Sequence, residues 1–127
     1  MIDDLPPYAR MLGLSVERRD GELLWTMPFA DAVVGRPGYL HGGAIAGLLE
    51  FAALGAVKAA LDGEGVAIKP INVTAHFLRG GVARDTFAAA TITRLGRRAA
   101  NVEAHAWQQD RAKPIASAQL NLMLKRP

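Results

Sequence analysis

Cysteine is absent from this sequence, which excludes disulfides, thiolate metal sites and cysteine nucleophiles. Serine is scarce: Ser15 and Ser117 both lie in strand-like stretches, and neither occupies a Gly-x-Ser-x-Gly nucleophile elbow. The three histidines, His41, His76 and His105, lack the spacing of metal ligands, and no phosphate-binding loop or dinucleotide-binding glycine motif occurs. An enzyme built on this chain must therefore use a carboxylate or a histidine.

The chain also lacks a strong excess of charge of one sign. It has 15 basic and 12 acidic residues and a net charge of +3. This excess suits an anionic ligand but is too small to indicate nucleic-acid binding, and the densest basic stretch is "RLGRR" at 94–98. The start, "MIDDLPPYAR", is acidic and interrupted by proline, unlike a signal peptide, so we expect a cytoplasmic protein. A length of 127 residues fits one domain, residues 1–127.

One long apolar run, residues 42–61, has about the length of a membrane span. It contains Glu50 and Lys58 together with four glycines. A charge at the centre of a lipid-facing helix costs roughly 3 kcal/mol, and strand-like alternation resumes after the run. We therefore expect a buried helix and no membrane partner.

The remaining elements follow from periodicity. A short helix within 3–12 is broken at Pro6 and Pro7, a hairpin over 14–29 turns at Asp20-Gly21, and 30–39 is a loop. After the helix, period-2 patterns predict four strands, at 70–79, 85–95, 100–108 and 114–125. The order β-β-α-β-β-β-β predicts an α+β fold in which an antiparallel sheet curves around one long central helix.

The alternation within these strands predicts which residues face the core. In the first of the four strands, Ile71, Val73, Ala75 and Phe77 form the expected buried face. His76 and His105 alternate with apolar residues and are expected at solvent or at a subunit interface.

The start of the long helix carries the residues suited to chemistry. Gly42 and Gly43 follow His41, and the first backbone amides of a helix lack intrahelical partners, so a carbonyl can be polarised there. Glu50 lies eight residues after Gly42, ~12 Å along the axis, and cannot reach the same group within one chain. Two helices that pack antiparallel across a twofold axis place Glu50 of one chain opposite Gly42 of the other. The structural alternatives are an ion pair of Glu50 with an arginine, or a local exit from the core.

The stretch "HGGAIAGLLE" resembles the helix start of hotdog-fold acyl-CoA thioesterases of the 4-hydroxybenzoyl-CoA and phenylacetate-degradation type. In that family an acid follows nine residues after the histidine, as Glu50 follows His41. "FLRGG" is similar to the family's Leu-Arg-Pro strand end, and "RLGRR" to its Gly-Arg hairpin. The resemblance covers nearly the whole chain.

The resemblance implies hydrolysis of acyl-CoA thioesters at a dimer interface, in a dimer or a dimer of dimers, without a metal or a cofactor beyond the CoA of the substrate. The Gly42 N–H would polarise the carbonyl, Glu50 of the partner chain would act as general base or as nucleophile, and His41 would shape the turn or contact the thioester. The remaining candidates for substrate or CoA binding are Gly43, Arg97 and Arg98 (with Arg79 and Arg94 behind them), Asn72, Thr74, Leu54, Phe51 and Trp25.

Three positions depart from the family pattern. Gly35 stands where many relatives carry Asn or Gln, Leu54 stands where relatives with a Glu carry Ser or Thr, and Gly80 replaces proline. The missing polar side chains keep open an alternative, a non-catalytic acyl-CoA-binding or interaction domain. A hydratase of the same fold needs a different His and acid motif before the helix, and this sequence lacks it.

Overall fold

An antiparallel sheet and one long helix form most of the structure, a computed structural model that describes residues 4–127. The first half contains helix α1 (Pro7–Met11), strands β1 (Ser15–Arg19) and β2 (Glu22–Met27), a 3-10 turn (Asp31–Val33), and strands β3 (Val34–Arg36) and β4 (Tyr39–Leu40). Helix α2 (Gly42–Ala60) follows, and then β5 (Ala67–Phe77), β6 (Thr86–Leu95), β7 (Ala99–Trp107) and β8 (Ala116–Lys125). The predicted α+β class is confirmed. Part of the helix predicted within 3–12 is α1, and residue 3 lies outside the described residues.

Six strands form the main sheet in the order β1-β2-β6-β7-β8-β5, and every neighbouring pair is antiparallel. The turn between β1 and β2 consists of Asp20 and Gly21, whose φ angles of 52° and 81° are those of a type I′ hairpin turn. The sheet has two edges, the five-residue β1 and the eleven-residue β5. Among residues 4–127, β5 is therefore the long strand whose outer edge has no neighbour.

The segment 30–39, predicted as a loop, contains more structure than expected. It includes the 3-10 turn and the hairpin β3–β4, in which Arg36 pairs with Tyr39 across a Pro37-Gly38 turn. Gly38 has a φ of 80°, as the third residue of a type II turn requires. The Leu40 N–H donates to the Gly81 carbonyl at 3.0 Å, which attaches the hairpin to the chain after β5. Strands this short leave too little alternation for a sequence pattern to show.

Helix α2 packs against one face of the sheet and contacts β2, β5, β6, β7 and β8. Within residues 4–127 it is the one helix whose length and hydropathy would allow it to cross a membrane. Its apolar side chains enter the common core with those of the strands. The buried residues of α2 are Ala44, Ile45, Gly47, Leu48, Leu49, Ala52, Ala53 and Val57.

Glycines on α2 allow neighbouring rings to approach its backbone closely. A Cβ added at Gly55 would lie 2.6 Å from Cζ2 of Trp25, and one added at Gly47 would lie 2.9 Å from Cε2 of Tyr8. Real Cβ atoms do not approach this closely, so either ring would have to move if its glycine were replaced.

The predicted buried face of β5 is only partly correct. A register shift between Pro70 and Asn72 leaves Ile71 60% exposed. Val73 and Phe77 pair with core-facing residues of β8 and point toward α2, yet they are 38% and 55% exposed. Since β5 is an edge strand, no strand of the described part of the chain covers its outer side.

Candidate active site

The turn that opens α2 leaves one backbone amide free. His41 is the N-cap, and its Nδ1 accepts the N–H of Gly43 at 2.8 Å, while its carbonyl accepts from Ala44 and Ile45 at 3.0 and 3.2 Å. Within residues 4–127 the N–H of Gly42 has no acceptor. Gly42 therefore presents the free donor expected of a carbonyl-polarising site.

The same hydrogen bond changes the expectation for Gly43. We predicted that Gly43 would contribute to substrate binding, but its N–H is already bound to the imidazole of His41. Of the two readings of His41, the structure shows the one in which the ring stabilises the turn. Because Nδ1 accepts this hydrogen bond, a neutral imidazole carries its proton on Nε2.

The Gly42 amide opens into a cleft of about 370 Å³. Gly35, Arg36 and residues 39–42, 80 and 81 line it. The ring of Phe77 also comes close, because a Cβ added at Gly42 would lie 3.6 Å from its Cε1 and Cζ atoms. Phe77 was predicted only as a core residue of β5. Its proximity to Gly42 depends on how β5 crosses the helix start, which no sequence motif specifies.

Gly35 lies against the backbone of His41. A Cβ at position 35 would be 2.9 Å from Cα of His41, which is backbone and cannot rotate away. The His41 N–H is in turn fixed to the Val33 carbonyl at 2.8 Å. Close packing between this loop and the helix cap therefore leaves no room for a side chain at position 35.

Gly80 and Gly81 form the opposite wall of the cleft. A Cβ at Gly80 would make ordinary contact with the Tyr39 ring at 3.6 Å, whereas one at Gly81 would lie 2.7 Å from Cδ1 of Leu40. The absence of a side chain at Gly81 therefore allows the hairpin β3–β4 to lie close to the end of β5.

Glu50 lies on a partly exposed stripe of α2 that also contains Gly43, Ala46, Leu54 and Lys58. Within residues 4–127 its carboxylate has no hydrogen-bond or ion-pair partner. The structural alternative of an ion pair with an arginine is therefore not realised. Leu54 packs against the core from the same stripe and offers no hydroxyl near Glu50.

Arg97 and Arg98 lie far from the Gly42 of their own chain. They occupy the β6–β7 turn, at the same end of the sheet as the start of β5, whereas Phe77, next to Gly42, is at the end of β5. Eleven residues of β5 separate these two ends by about 33 Å. Arg126 fixes the turn by donating to the carbonyls of Arg97 and Gly96 at 3.0 and 3.1 Å. The side chains of Arg97 and Arg98 are exposed.

Asn72 and Thr74 lie on the opposite face of the sheet from α2 and Gly42. They pair with Asn121 and Gln119 of β8, whose side chains lie on the sheet face opposite to α2. There the Asn121 amide donates to Oδ1 of Asn72 at 2.8 Å. The prediction that these two residues line an acyl pocket is not met within the protomer, because alternation places them on the outer face of the sheet.

The aromatic residues predicted as pocket walls form part of the core. Trp25 is 5% exposed, and its ring stacks on Phe51 with centroids 6.4 Å apart. Phe51 also meets the ring of Tyr8 at 6.2 Å. The indole N–H of Trp25 is buried without an acceptor among the described residues.

A second polar cluster lies on the outer face of the sheet. Arg111 forms a two-pronged ion pair with Glu22, donates from Nε to Nε2 of His105 at 3.1 Å, and covers the Trp107 ring at 4.5 Å. The hydrogen bond from Arg111 lowers the pKa of Glu22, and burial, with the charge of Arg111, lowers the pKa of His105. His105 thus faces a loop of its own chain. Nothing in this cluster reaches Gly42, and residues 4–127 contain no group of three or more His, Asp or Glu residues able to hold a metal ion.

Solved structures share this architecture. A Bacillus halodurans protein solved with CoA has a TM-score of 0.87 and 21% identity over 98% of this chain and 82% of its own. A candidate thioesterase of Ralstonia eutropha JMP134, related to phenylacetic acid degradation, has a TM-score of 0.82 and 27% identity, over 94% and 90%. A Chromobacterium violaceum protein has a TM-score of 0.76 and 34% identity, over 98% and 86%. No curated protein sequence matches the chain. Together with the sheet and central helix, these similarities define a hotdog fold.

Residues 33–123 match the family model described as the acyl-CoA thioesterase N-terminal domain. The match includes β3, the whole of α2 and most of β8. The chain belongs to this family of acyl-CoA thioesterases, and is a thioester hydrolase. This confirms the family and the class of enzyme that the sequence resemblance predicted.

Proposed function

We propose that two copies of this chain hydrolyse acyl-CoA thioesters at sites that both copies share, with Gly42 from one protomer and Glu50 from its partner. The observation that carries the proposal is the pair of unused groups on α2. The Gly42 N–H and the Glu50 carboxylate both lack partners in residues 4–127. They are separated by two helical turns, ~12 Å, which is too far for both to act on one carbonyl.

In a dimer with a twofold axis, Glu50 of one protomer can lie next to Gly42 of the other. When two α2 helices pack antiparallel with residues 42 and 50 facing each other, the axis passes halfway between them, at Ala46. Ala46 is small and partly exposed, and it lies on the same stripe as Glu50. The two helix backbones can therefore approach closely at this point, and each pair of helices would generate two equivalent sites.

The unpaired edge of β5 supports the same arrangement. β5 is eleven residues long and exposes Ile71, Val73 and Phe77. Long apolar edge strands are usually covered or paired. Antiparallel pairing of two β5 strands would continue the sheet across the axis and bring the two α2 helices side by side. It would also bring the partner's β6–β7 turn, with Arg97 and Arg98, toward the end of the helix that contains Gly42.

The chemistry follows from this geometry. The Gly42 N–H stabilises the negative charge that develops on the thioester oxygen. Glu50 of the partner removes a proton from water as it attacks the carbonyl carbon, or its carboxylate attacks directly to form an anhydride that water then cleaves. The C–S bond breaks in either route, and the products are the free acid and CoA. The reaction needs no cofactor beyond the CoA of the substrate.

The test is thiol release from a panel of acyl-CoA esters by the wild-type protein and by Glu50→Gln. We expect the substitution to lower kcat by roughly 10²- to 10⁴-fold, the range for loss of a general base. Binding of acyl-CoA esters by the wild type without any turnover would contradict the proposal and favour a binding domain. Turnover by the wild type has to be measured because Leu54 replaces the Ser or Thr of relatives with a Glu, which keeps the alternative of a non-catalytic binding domain open.

Sharing of the site is tested by mixing chains. One chain carries Glu50→Gln, and the other carries Gly42→Pro, which removes the amide hydrogen. In a mixed dimer one site combines two intact groups, so random reassociation should restore about a quarter of the wild-type activity. Failure to recover any activity, with exchange verified by mass spectrometry, would refute a shared site.

A further inference from the structure

Arg36 lies in the cleft beside Gly42, where its guanidinium packs on an aromatic ring and has no carboxylate partner within residues 4–127. The guanidinium of Arg36 lies over the ring of Tyr39, with Cζ 4.5 Å from the ring centroid. No carboxylate within residues 4–127 pairs with it, although Arg19, Arg111 and Arg126 all have ion-pair partners.

The local sequence explains why the guanidinium is held there. In Arg36-Pro37-Gly38-Tyr39 the proline and the glycine with φ of 80° form the hairpin turn, and Arg36 pairs directly with Tyr39 across it. Cross-strand partners bring their side chains together, so the tyrosine ring supports the guanidinium. The hairpin is attached to the Gly81 carbonyl by the Leu40 amide.

The guanidinium and the free amide belong to the same cleft. Arg36 and Gly42 both line it, and the other lining residues are glycines, Leu40, Tyr39 and His41, with no carboxylate. A planar cation held on a ring keeps its outer N–H donors directed outward and loses little entropy when an anion binds. A guanidinium in this setting recognises a carboxylate or a phosphate through two parallel hydrogen bonds.

We propose that Arg36, supported by Tyr39, binds an anionic group of the substrate while the thioester carbonyl occupies the Gly42 amide. This proposal rests on the proposed function, because it takes the Gly42 amide as the reacting end of the cleft. The anion is either a carboxylate on the acyl group or a phosphate of CoA. If the anion is the acyl carboxylate, Arg36 determines specificity for the acyl group. If it is a phosphate of CoA, Arg36 contributes affinity for every acyl-CoA, in addition to Arg97 and Arg98 of the partner chain.

The test compares Arg36→Ala with Arg19→Ala. Arg19 is an exposed arginine of β1 that pairs with Glu17 at 2.7 Å, so both variants lose one positive charge and only one of them changes the cleft. The substrates are a neutral straight-chain acyl-CoA and an acyl-CoA of the same length that ends in a carboxylate. Free CoA is measured separately as a product inhibitor.

Two results would support the proposal, and they separate the two sources of the anion. If Arg36 binds the acyl carboxylate, Arg36→Ala raises KM for the carboxylated substrate by about 10- to 100-fold and leaves the neutral substrate and the Ki of CoA unchanged. If it binds a phosphate, KM rises for both substrates and the Ki of CoA rises with them. In either case kcat changes little, because the contact is made equally in the ground state and the transition state. Arg36→Lys should raise KM less than Arg36→Ala does, because lysine keeps the positive charge but lacks the planar guanidinium that forms two parallel hydrogen bonds.

Other outcomes would overturn the proposal that Arg36 binds an anionic group of the substrate. KM and Ki values equal to those of Arg19→Ala would show that Arg36 does not contact the substrate. A fall in kcat for both substrates with KM and Ki unchanged would show that Arg36 only supports the hairpin. Absence of turnover by the wild type would instead refute the proposed hydrolysis, so the failure of one proposal can be distinguished from the failure of the other.

Discussion

The imidazole of His41 accepts the amide hydrogen of Gly43 at 2.8 Å. With the His41 carbonyl already bound to the next two amides, this leaves the N–H of Gly42 without an acceptor in residues 4–127. The histidine of the His-Gly-Gly motif thus determines which amide is free. In the proposed mechanism it therefore positions the turn, whereas the Gly42 backbone amide and Glu50 of the partner chain would act on the substrate.

Replacement of Gly42 by proline tests the free amide directly. Gly42 is the first residue of α2, where proline is well tolerated, and His41 has φ −72° and ψ 133°, the conformation favoured before proline. We expect Gly42→Pro to fold and to lose activity by roughly 10²- to 10³-fold, as for removal of one oxyanion-hole donor. The measurement is kcat/KM, with circular dichroism to verify the fold.

The matched control for that experiment is Gly42→Ala. Alanine keeps the N–H, and its Cβ would meet the Phe77 ring at 3.6 Å, an ordinary contact. We expect Gly42→Ala to retain most of the activity that Gly42→Pro loses. Equal activity in the proline and alanine variants would show that the amide hydrogen has no catalytic role.

Substitution of Val73 by lysine tests the β5 edge as the dimer interface. Val73 is 38% exposed on the α2 side of β5, and a charge there would be buried if two β5 edges pair. We expect Val73→Lys to be monomeric by light scattering and inactive, because each protomer then lacks its partner's Glu50. Met123 is 43% exposed on the outer face, so Met123→Lys is the control and should remain dimeric. A dimeric, active Val73→Lys would place the interface elsewhere.

Gly35→Asn would restore the residue type that relatives carry at this position, yet we expect it to destabilise the protein. Its Cβ would lie 2.9 Å from the Cα of His41, and overpacking of this kind typically costs about 1–3 kcal/mol. Chemical denaturation measures the free energy of unfolding. Gly80→Ala in the opposite wall of the cleft serves as the control, since its Cβ has ordinary contacts at 3.6 Å. An unchanged free energy of unfolding for Gly35→Asn would mean that the loop relaxes easily.

Acid should weaken the fold through the cluster of Arg111, His105 and Glu22. His105 has a lowered pKa in the folded state, so the unfolded chain binds its proton first, and stability falls as the pH drops below the ordinary histidine value. Glu22 also has a lowered pKa, so its contribution is complete above the ordinary glutamate value and is lost as the pH falls through the folded-state value.

The measurement is Tm between pH 7 and about pH 2, which covers the range below the ordinary glutamate pKa. We expect His105→Gln to remove the part of the decline that begins near pH 6.5, and Glu22→Gln to remove the part that begins near pH 4.5, the two reference values. The side chains of Arg111 and Glu22 are 45% and 39% exposed, so solvent screens the ion pair and its loss should cost ~1 kcal/mol or less. A Tm profile identical to that of the wild type in both variants would show that this cluster does not respond to pH.

Local pattern in the sequence determined the elements and the motif. Alternation specified the strands, the long apolar run specified α2, and the spacing of His41 and Glu50 indicated the family. These features depend only on residues that are close together in the sequence, so they can be recognised in a single chain without its tertiary structure. The predicted burial of β5 was partly wrong because alternation shows only which side chains share a face. Whether that face is covered depends on the register shift near Ile71 and on the position of β5 at the sheet edge.

Only the tertiary structure decided which groups remain free and which of them meet. The hydrogen bond between His41 and Gly43, the contact of Gly35 with the helix cap, and the position of Phe77 beside Gly42 all depend on how distant segments pack. The outer-face positions of Asn72 and Thr74 follow from their pairing with β8. Sequence spacing runs along one chain, but a site is formed in space, where strand pairing and helix packing bring together residues that the sequence keeps far apart.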